Sequence, residues 1–206
     1  MKIVRIYLAL CLFFSSSNAF SQNSGSIVFE KSSMSKIVSK DAKIKMIADG
    51  FGFTEGPVWH NDGYLLFSDI PSNKIMKYEP DLGVSVFIEN SGFIGTEIKA
   101  KGPGSNGLTY DKAGNLIICQ HGARQLAKYD REGNCIPIAR QYRGKRLNSP
   151  NDVVVMSNGI IFFTDPPWGL PKNGEDPAKE LDFQGVYRLH NGNYVLFQFS
   201  RREYGF

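Results

Sequence analysis

Three stretches of this 206-residue chain carry the same strand and turn punctuation at matched offsets, and that repetition restricts the fold more than any single motif. From Glu55 the chain reads EGPVW, a turn at His60-Asn61-Asp62-Gly63, YLLFSD ending at Asp69, KIMKY ending at Tyr78, and a turn through Asp81 and Gly83. From Asn106 it reads NGLTY, a turn at Asp111-Lys112-Ala113-Gly114, NLIICQ ending at Gln120, QLAKY ending at Tyr129, and a turn through Gly133. The two copies agree to the residue, with the second strand ending 14 positions and the third 23 positions after the start. A third copy opens at Asn151 with NDVVV, turns at Ser157-Asn158-Gly159 and reaches Asp165, again 14 positions on. Its next strand, GVYRL around Tyr187, is delayed by an insertion from Pro166 to Gln184. Starts 51 and 45 residues apart, with short alternating strands joined by D-x-x-G or N-G turns, predict four-stranded blades of an all-β propeller. A β-sandwich is the competing architecture. Helical repeats of this length would need a 3.6-residue apolar period that the chain lacks.

The N-terminus indicates the compartment. Lys2 and Arg5 precede an apolar run from Ile6 to Phe14, and small residues at Ser17, Ala19 and Ser21 follow it, the pattern of a cleaved signal peptide over residues 1–21. The nine-residue run is too short for a membrane span, which needs roughly 20 residues. Leu10 before Cys11 is too bulky for a lipid-attachment box. A periplasmic or secreted protein is expected, with no membrane attachment after cleavage. Residues 22–44 then lead into a partial propeller over 45–197, with a tail at 198–206.

Removing Lys2 and Arg5 lowers the formal charge from +4 to +2, too balanced for a nucleic-acid-binding surface. Cys119 and Cys135 remain after cleavage, and an exported protein permits a bridge between them without demanding one. Neither has the spacing of a zinc site. Ser149 lacks a G-x-S-x-G context, and His60, His121 and His190 lack metal-type spacing, which disfavours a serine hydrolase. No glycine loop runs from a strand into a helix, which disfavours nucleotide chemistry.

Equivalent positions of successive blades face one place, so Glu55, Asn106 and Asn151, at the mouth of each first strand, are expected to converge on the central channel. One carboxylate and two carboxamides offer hard oxygen donors and no sulfur, which suits Ca2+ or Mg2+. The alternative is that these residues only cap turns.

The strings FTEGPVW, LLFSDI, SNGLTYD, RLNSPNDVVV and FFTDPPWGL resemble the senescence-marker-protein, gluconolactonase and regucalcin-like family of six-bladed propellers, and its bacterial gluconolactonases in particular. The likeness runs from about Lys45 to about Leu196. It implies a divalent cation on the channel axis, Ca2+ first with Mg2+, Mn2+ or Zn2+ as alternatives, and hydrolysis of a sugar-acid lactone such as gluconolactone. It implies that Glu55, as the Glu of EGP, and Asn151 bind the metal. The family's candidate base, an Asp further along, has no counterpart here, so no catalytic residue is assigned. The chain therefore reads as a propeller of about three of six blades with impaired activity, and a non-catalytic carbohydrate- or partner-binding propeller is the other reading.

Asn106 joins the substrate-facing set with four further candidates, each with a plainer alternative. His121, just past NLIICQ, is expected on the same rim as Asp69 and Asp165, where it contacts a sugar hydroxyl or is simply solvated. Asp165 and Trp168, flanking Pro166-Pro167, offer a carboxylate and an aromatic face to a sugar, or Asp165 caps its turn. Asp152 supports the metal ligands or forms a turn beside Pro150.

Overall fold

Alternation of apolar and polar residues, punctuated by glycine at each first hairpin, folds every copy into one antiparallel sheet. A computed structural model describes residues 25–93, 102–190 and 192–197. The expected signal peptide and the tail at 198–206 lie outside those residues. Residues up to Asp49 belong to one unit, whose described residues include a 3-10 turn at Ser32–Lys36. The second unit begins at Gly50.

The first sheet contains β1 (Thr54–His60), β2 (Tyr64–Asp69), β3 (Lys74–Glu79) and β4 (Gly83–Glu89) in sequential order. The second contains β5 (Ser105–Tyr110), β6 (Leu116–Gln120), β7 (Gln125–Tyr129) and β8 (Cys135–Ala139). A hairpin follows, β9 (Gln141–Tyr142) and β10 (Lys145–Arg146). Its two-residue turn, Arg143-Gly144, has φ of +50° and +80°, as a right-twisting tight hairpin requires. The third sheet contains β11 (Val153–Val155), β12 (Ile161–Asp165), β13 (Gly185–His190) and β14 (Asn193–Phe197). Regular pairing of β11 is thus shorter than the NDVVV run, although Asn151 N still donates to Thr164 O at 2.9 Å.

Each sheet is a blade: β1 packs along β5, and β5 along β11, so the first strands are innermost. Two apolar clusters fill the wedges between blades. Leu66 and Ile75 of the first sheet meet Leu108, Leu116 and Ile118 of the second. Ile117, Cys119 and Leu126 of the second meet Val153, Phe163, Tyr187 and Leu189 of the third, with the Phe163 and Tyr187 rings stacked at 5.0 Å. Each such side chain contributes about 1.5–3 kcal/mol on full burial. Cys119 is buried within this packing, and both cysteines are free. They sit on β6 and β8 with β7 between them, which accounts for the absence of a bridge.

Candidate site at the blade starts

Glycine sets how closely the innermost strands approach. A β-carbon added at Gly56, whose φ is +57°, would lie 2.2 Å from Asn106 O, and one at Gly107 would lie 2.7 Å from Asp152 Cα. The residue after each of Glu55 and Asn106 therefore presses its backbone on the next blade's start. β-Bulges interrupt β1 between Glu55 and Val58 and β5 between Ser105 and Leu108. Such bulges re-aim side chains, here at the point where the blades meet.

The convergence is explicit for the second and third blades. Asn106 Nδ2 donates to Asn151 Oδ1 at 2.8 Å and lies 3.2 Å from His121 Nε2. An amide nitrogen only donates, so His121 Nε2 is the acceptor and the neutral ring carries its proton on Nδ1. Burial holds the imidazole down at about 4, which keeps it in that neutral form. His121 is buried, not solvated in its turn. Gly107 N donates to Asn151 O at 2.8 Å and closes the seam. Glu55, at the first blade's start, has an exposed side chain that makes no hydrogen bond among the described residues.

The 14-residue offset has a structural meaning, and it moves two residues off the expected rim. Asp69 Oδ1 accepts from Gly52 N and Phe53 N at 3.1 and 3.2 Å, while Oδ2 accepts from Ser72 Oγ at 2.6 Å. Asp165 Oδ2 accepts from Asn148 N at 2.8 Å, and the residue is fully enclosed. Gln120 Nε2 donates to Ser91 O at 2.7 Å. Each second strand thus ends in a latch that holds the segment leading into its own blade. The structure places Asp165 inside the protein rather than at a sugar-facing surface. Burial pushes its carboxyl up to about 7, against the opposing pull of the Asn148 and Ser149 amides and of the Arg124 and Lys179 charges. Oδ1 of Asp165 is buried with no partner among the described residues.

Asp152 is exposed, and its Oδ1 accepts from Val153 N at 2.8 Å, a local turn contact. Trp168 is 60% exposed on the insertion. Ser149 holds that loop, its Oγ donating to Pro166 O at 2.6 Å and accepting from Gly169 N at 2.8 Å. Gly169 consequently lies against His121, where a β-carbon would come within 2.8 Å of the imidazole. Among the described residues no three His, Cys, Asp or Glu side chains gather into a metal-holding group.

A second repeated device escaped the sequence reading. Asn73 and Arg124 each fall 18 residues after a blade start and share a φ of +56°. Asn73 clamps the approach to the second blade through Phe93 O and Gly92 N. Arg124 clamps the approach to the third, with Nε donating to Leu147 O at 2.7 Å and Asn148 O at 3.0 Å, and Nη1 to Ala178 O at 2.7 Å. The shared offset was the available signal.

Residues 53–199 match the SMP-30/Gluconolactonase/LRE-like region, most of the propeller. The chain belongs to this family. A curated gluconolactonase of Zymomonas mobilis is 40% identical over 164 residues, covering 74% of this chain and 44% of that protein. A solved gluconolactonase from Xanthomonas campestris, described as important in glucose secondary metabolic pathways, is 30% identical with a TM-score of 0.63, covering 78% of this chain and 51% of that one. A solved gluconolactonase candidate from a structural-genomics programme is 34% identical with a TM-score of 0.62, covering 73% and 50%. The chain spans about half the length of these relatives. Its fold is that of a β-propeller family, represented among the described residues by three blades.

Proposed function

We propose that this chain carries part of the active site of an exported, metal-dependent hydrolase that opens sugar-acid lactones to aldonic acids. The Asn106, Asn151 and His121 constellation at the seam of equivalent blade starts carries the reading, together with kinship to gluconolactonases. The donor chemistry fits a hard cation: Glu55 supplies an exposed carboxylate, and Asn106 and Asn151 supply amide oxygens. Glu55 and Asn151 would hold the metal, Ca2+ being the best match. When bound, such a cation supplies Lewis-acid polarisation of a lactone carbonyl and a lowered pKa for a bound water.

The chain's own residues do the positioning. His121 accepts from Asn106 Nδ2, which fixes the carboxamide and leaves Oδ1 without a partner among the described residues, available to substrate or cation. Gly169 lets the insertion lie directly against His121. Trp168 offers an exposed aromatic face to a sugar ring.

These three blade starts offer fewer oxygens than the 6–8 that Ca2+ takes, so the 206-residue polypeptide is expected to bind Ca2+ weakly and turn over slowly. Opening of δ-gluconolactone, followed by pH-stat with Ca2+ and with chelator, tests the reading. Chelator-sensitive turnover supports it; binding of sugars with no chelator-sensitive turnover, in a longer relative-length version as well, favours the carbohydrate-binding alternative.

A further inference from the structure

Arg124 and Asn73 do the same mechanical work at successive seams, yet only one of them is charged. Asn73 satisfies the segment before the second blade with a neutral amide, using both its oxygen and its nitrogen. At the next seam the clamp is a guanidinium that is 6% exposed, and its Nη2 is enclosed with no partner among the described residues. Clamping alone does not require that charge. A buried guanidinium with an unpaired donor is costly, and the cost falls if an anion reaches that donor.

A cleft of about 500 Å3 opens at this place, lined by Phe93, His121, Arg124, Arg146, Gly169 and Lys172 among others. Arg124, Arg146 and Lys172 make no ion pair with a carboxylate within 4.0 Å among the described residues. Asp176 also lines the cleft as a carboxylate acting on Lys172 and Arg124, with its oxygens accepting from Lys172 N and Ala178 N at 3.0 and 2.9 Å. Glu180 is likewise engaged, with Oε2 accepting from Arg146 N at 2.7 Å. Burial, and then the like charge of Arg146, push the Arg124 guanidinium down, against the opposing pull of Glu180, Asp165 and Asp176. His121 links the two regions, because it lines the cleft and its Nε2 meets Asn106.

We propose that this cleft is an anion subsite that takes a carboxylate at the far end of the sugar, so that the preferred substrate is a lactone of a diacid, an aldaric or uronic lactone, rather than neutral gluconolactone. The substrate assignment rests on the lactonase reading, whereas anion binding does not. Guanidinium and ammonium groups at the mouth give a carboxylate charge-assisted hydrogen bonds, and the pyranose or furanose body lies beside His121 and Gly169.

The test uses the full chain with Arg146→Gln and Lys172→Gln combined, because both residues are exposed and their loss spares the buried Arg124 clamp. In calorimetric titration with chelator present, D-glucarate is expected to bind at least about tenfold tighter than D-glucose, and the double variant to lose that preference with an unchanged melting temperature. With metal present, the variant is expected to raise KM for glucarolactone about tenfold and leave KM for gluconolactone unaltered. Equal binding of glucarate and glucose, or an unaffected double variant, overturns the proposal. Inorganic phosphate binding as tightly as glucarate overturns the sugar-acid assignment. Glucarate binding through Arg146 and Lys172 with no lactone opened supports the subsite and refutes the lactonase reading, while lactone opening without glucarate preference does the reverse.

Discussion

The two seams between blades are built on one plan and filled with different chemistry. At the first, hydroxyls do the joining: Ser68 Oγ donates to Asn106 O at 2.8 Å and lies 2.7 Å from Ser105 Oγ. At the second, Asn106, Asn151, His121, Arg124 and Asp165 lie in or beside the joint, and two of them are shifted far from their ordinary titration ranges. The first seam is therefore chiefly structural and the second carries the polar groups that can act on a ligand. The insertion distinguishes the second seam, since Gly169 lies against His121 and Ala178 receives Arg124.

The sharpest way to break this comparison is steric. Gly56→Ala combines a left-handed φ with a contact at 2.2 Å, and is expected to cost about 3 kcal/mol or more. Gly107→Ala meets its first neighbour at 2.7 Å and should cost less, about 1–2 kcal/mol. Urea unfolding of both variants checks the order. A reversed order would mean that the second seam is the tighter one.

Polar substitutions come next. Asn106→Leu deprives Asn151 Oδ1 and buried His121 Nε2 of their donor and is expected to destabilise by about 2–3 kcal/mol, whereas Ser68→Ala should cost about 1 kcal/mol. Equal losses in thermal unfolding would remove the distinction between seams.

Titration separates the groups of the second seam by sign. Asp165 titrates at about 7 in the folded chain against an ordinary 3.8, so the folded form keeps a proton that the unfolded chain releases. Its contribution to stability is complete below about 4 and is lost as pH rises through about 7. His121, at about 4 against 6.5, behaves oppositely: its contribution is present above about 6.5 and is lost as pH falls through about 4. Asp165→Asn is expected to flatten the decline on the alkaline side, and His121→Gln the decline on the acid side. Urea midpoints measured from pH 4 to pH 8 decide this.

Glu55→Gln should have the smallest effect on folding, within about 0.5 kcal/mol, because the exposed carboxylate supports no described contact. The same change is expected to weaken Ca2+ binding at least about tenfold in calorimetry and to abolish chelator-sensitive lactone opening. A large fall in melting temperature would instead give Glu55 a structural role and leave the metal proposal without its carboxylate.

The repeat offsets were enough to place Glu55, Asn106 and Asn151 at matching blade starts, since hairpin turns and strand alternation are local and each copy encodes them independently. Kinship of the strings EGPVW, NSPND and FFTDPPWGL was legible for the same reason, because they are contiguous. Burial was not legible. Asp69 and Asp165 end equivalent strands, but whether a carboxylate faces water or latches an amide depends on which distant segment arrives over it. The pairing of Arg124 with carbonyls at positions 147, 148 and 178 joins residues 23 to 54 positions apart, so no local pattern announces it. Sequence alone determined the strands, their turns and the order of the blades. Only the tertiary structure decided which polar residues lost their water, because desolvation is a property of the packed neighbours and not of the residue itself.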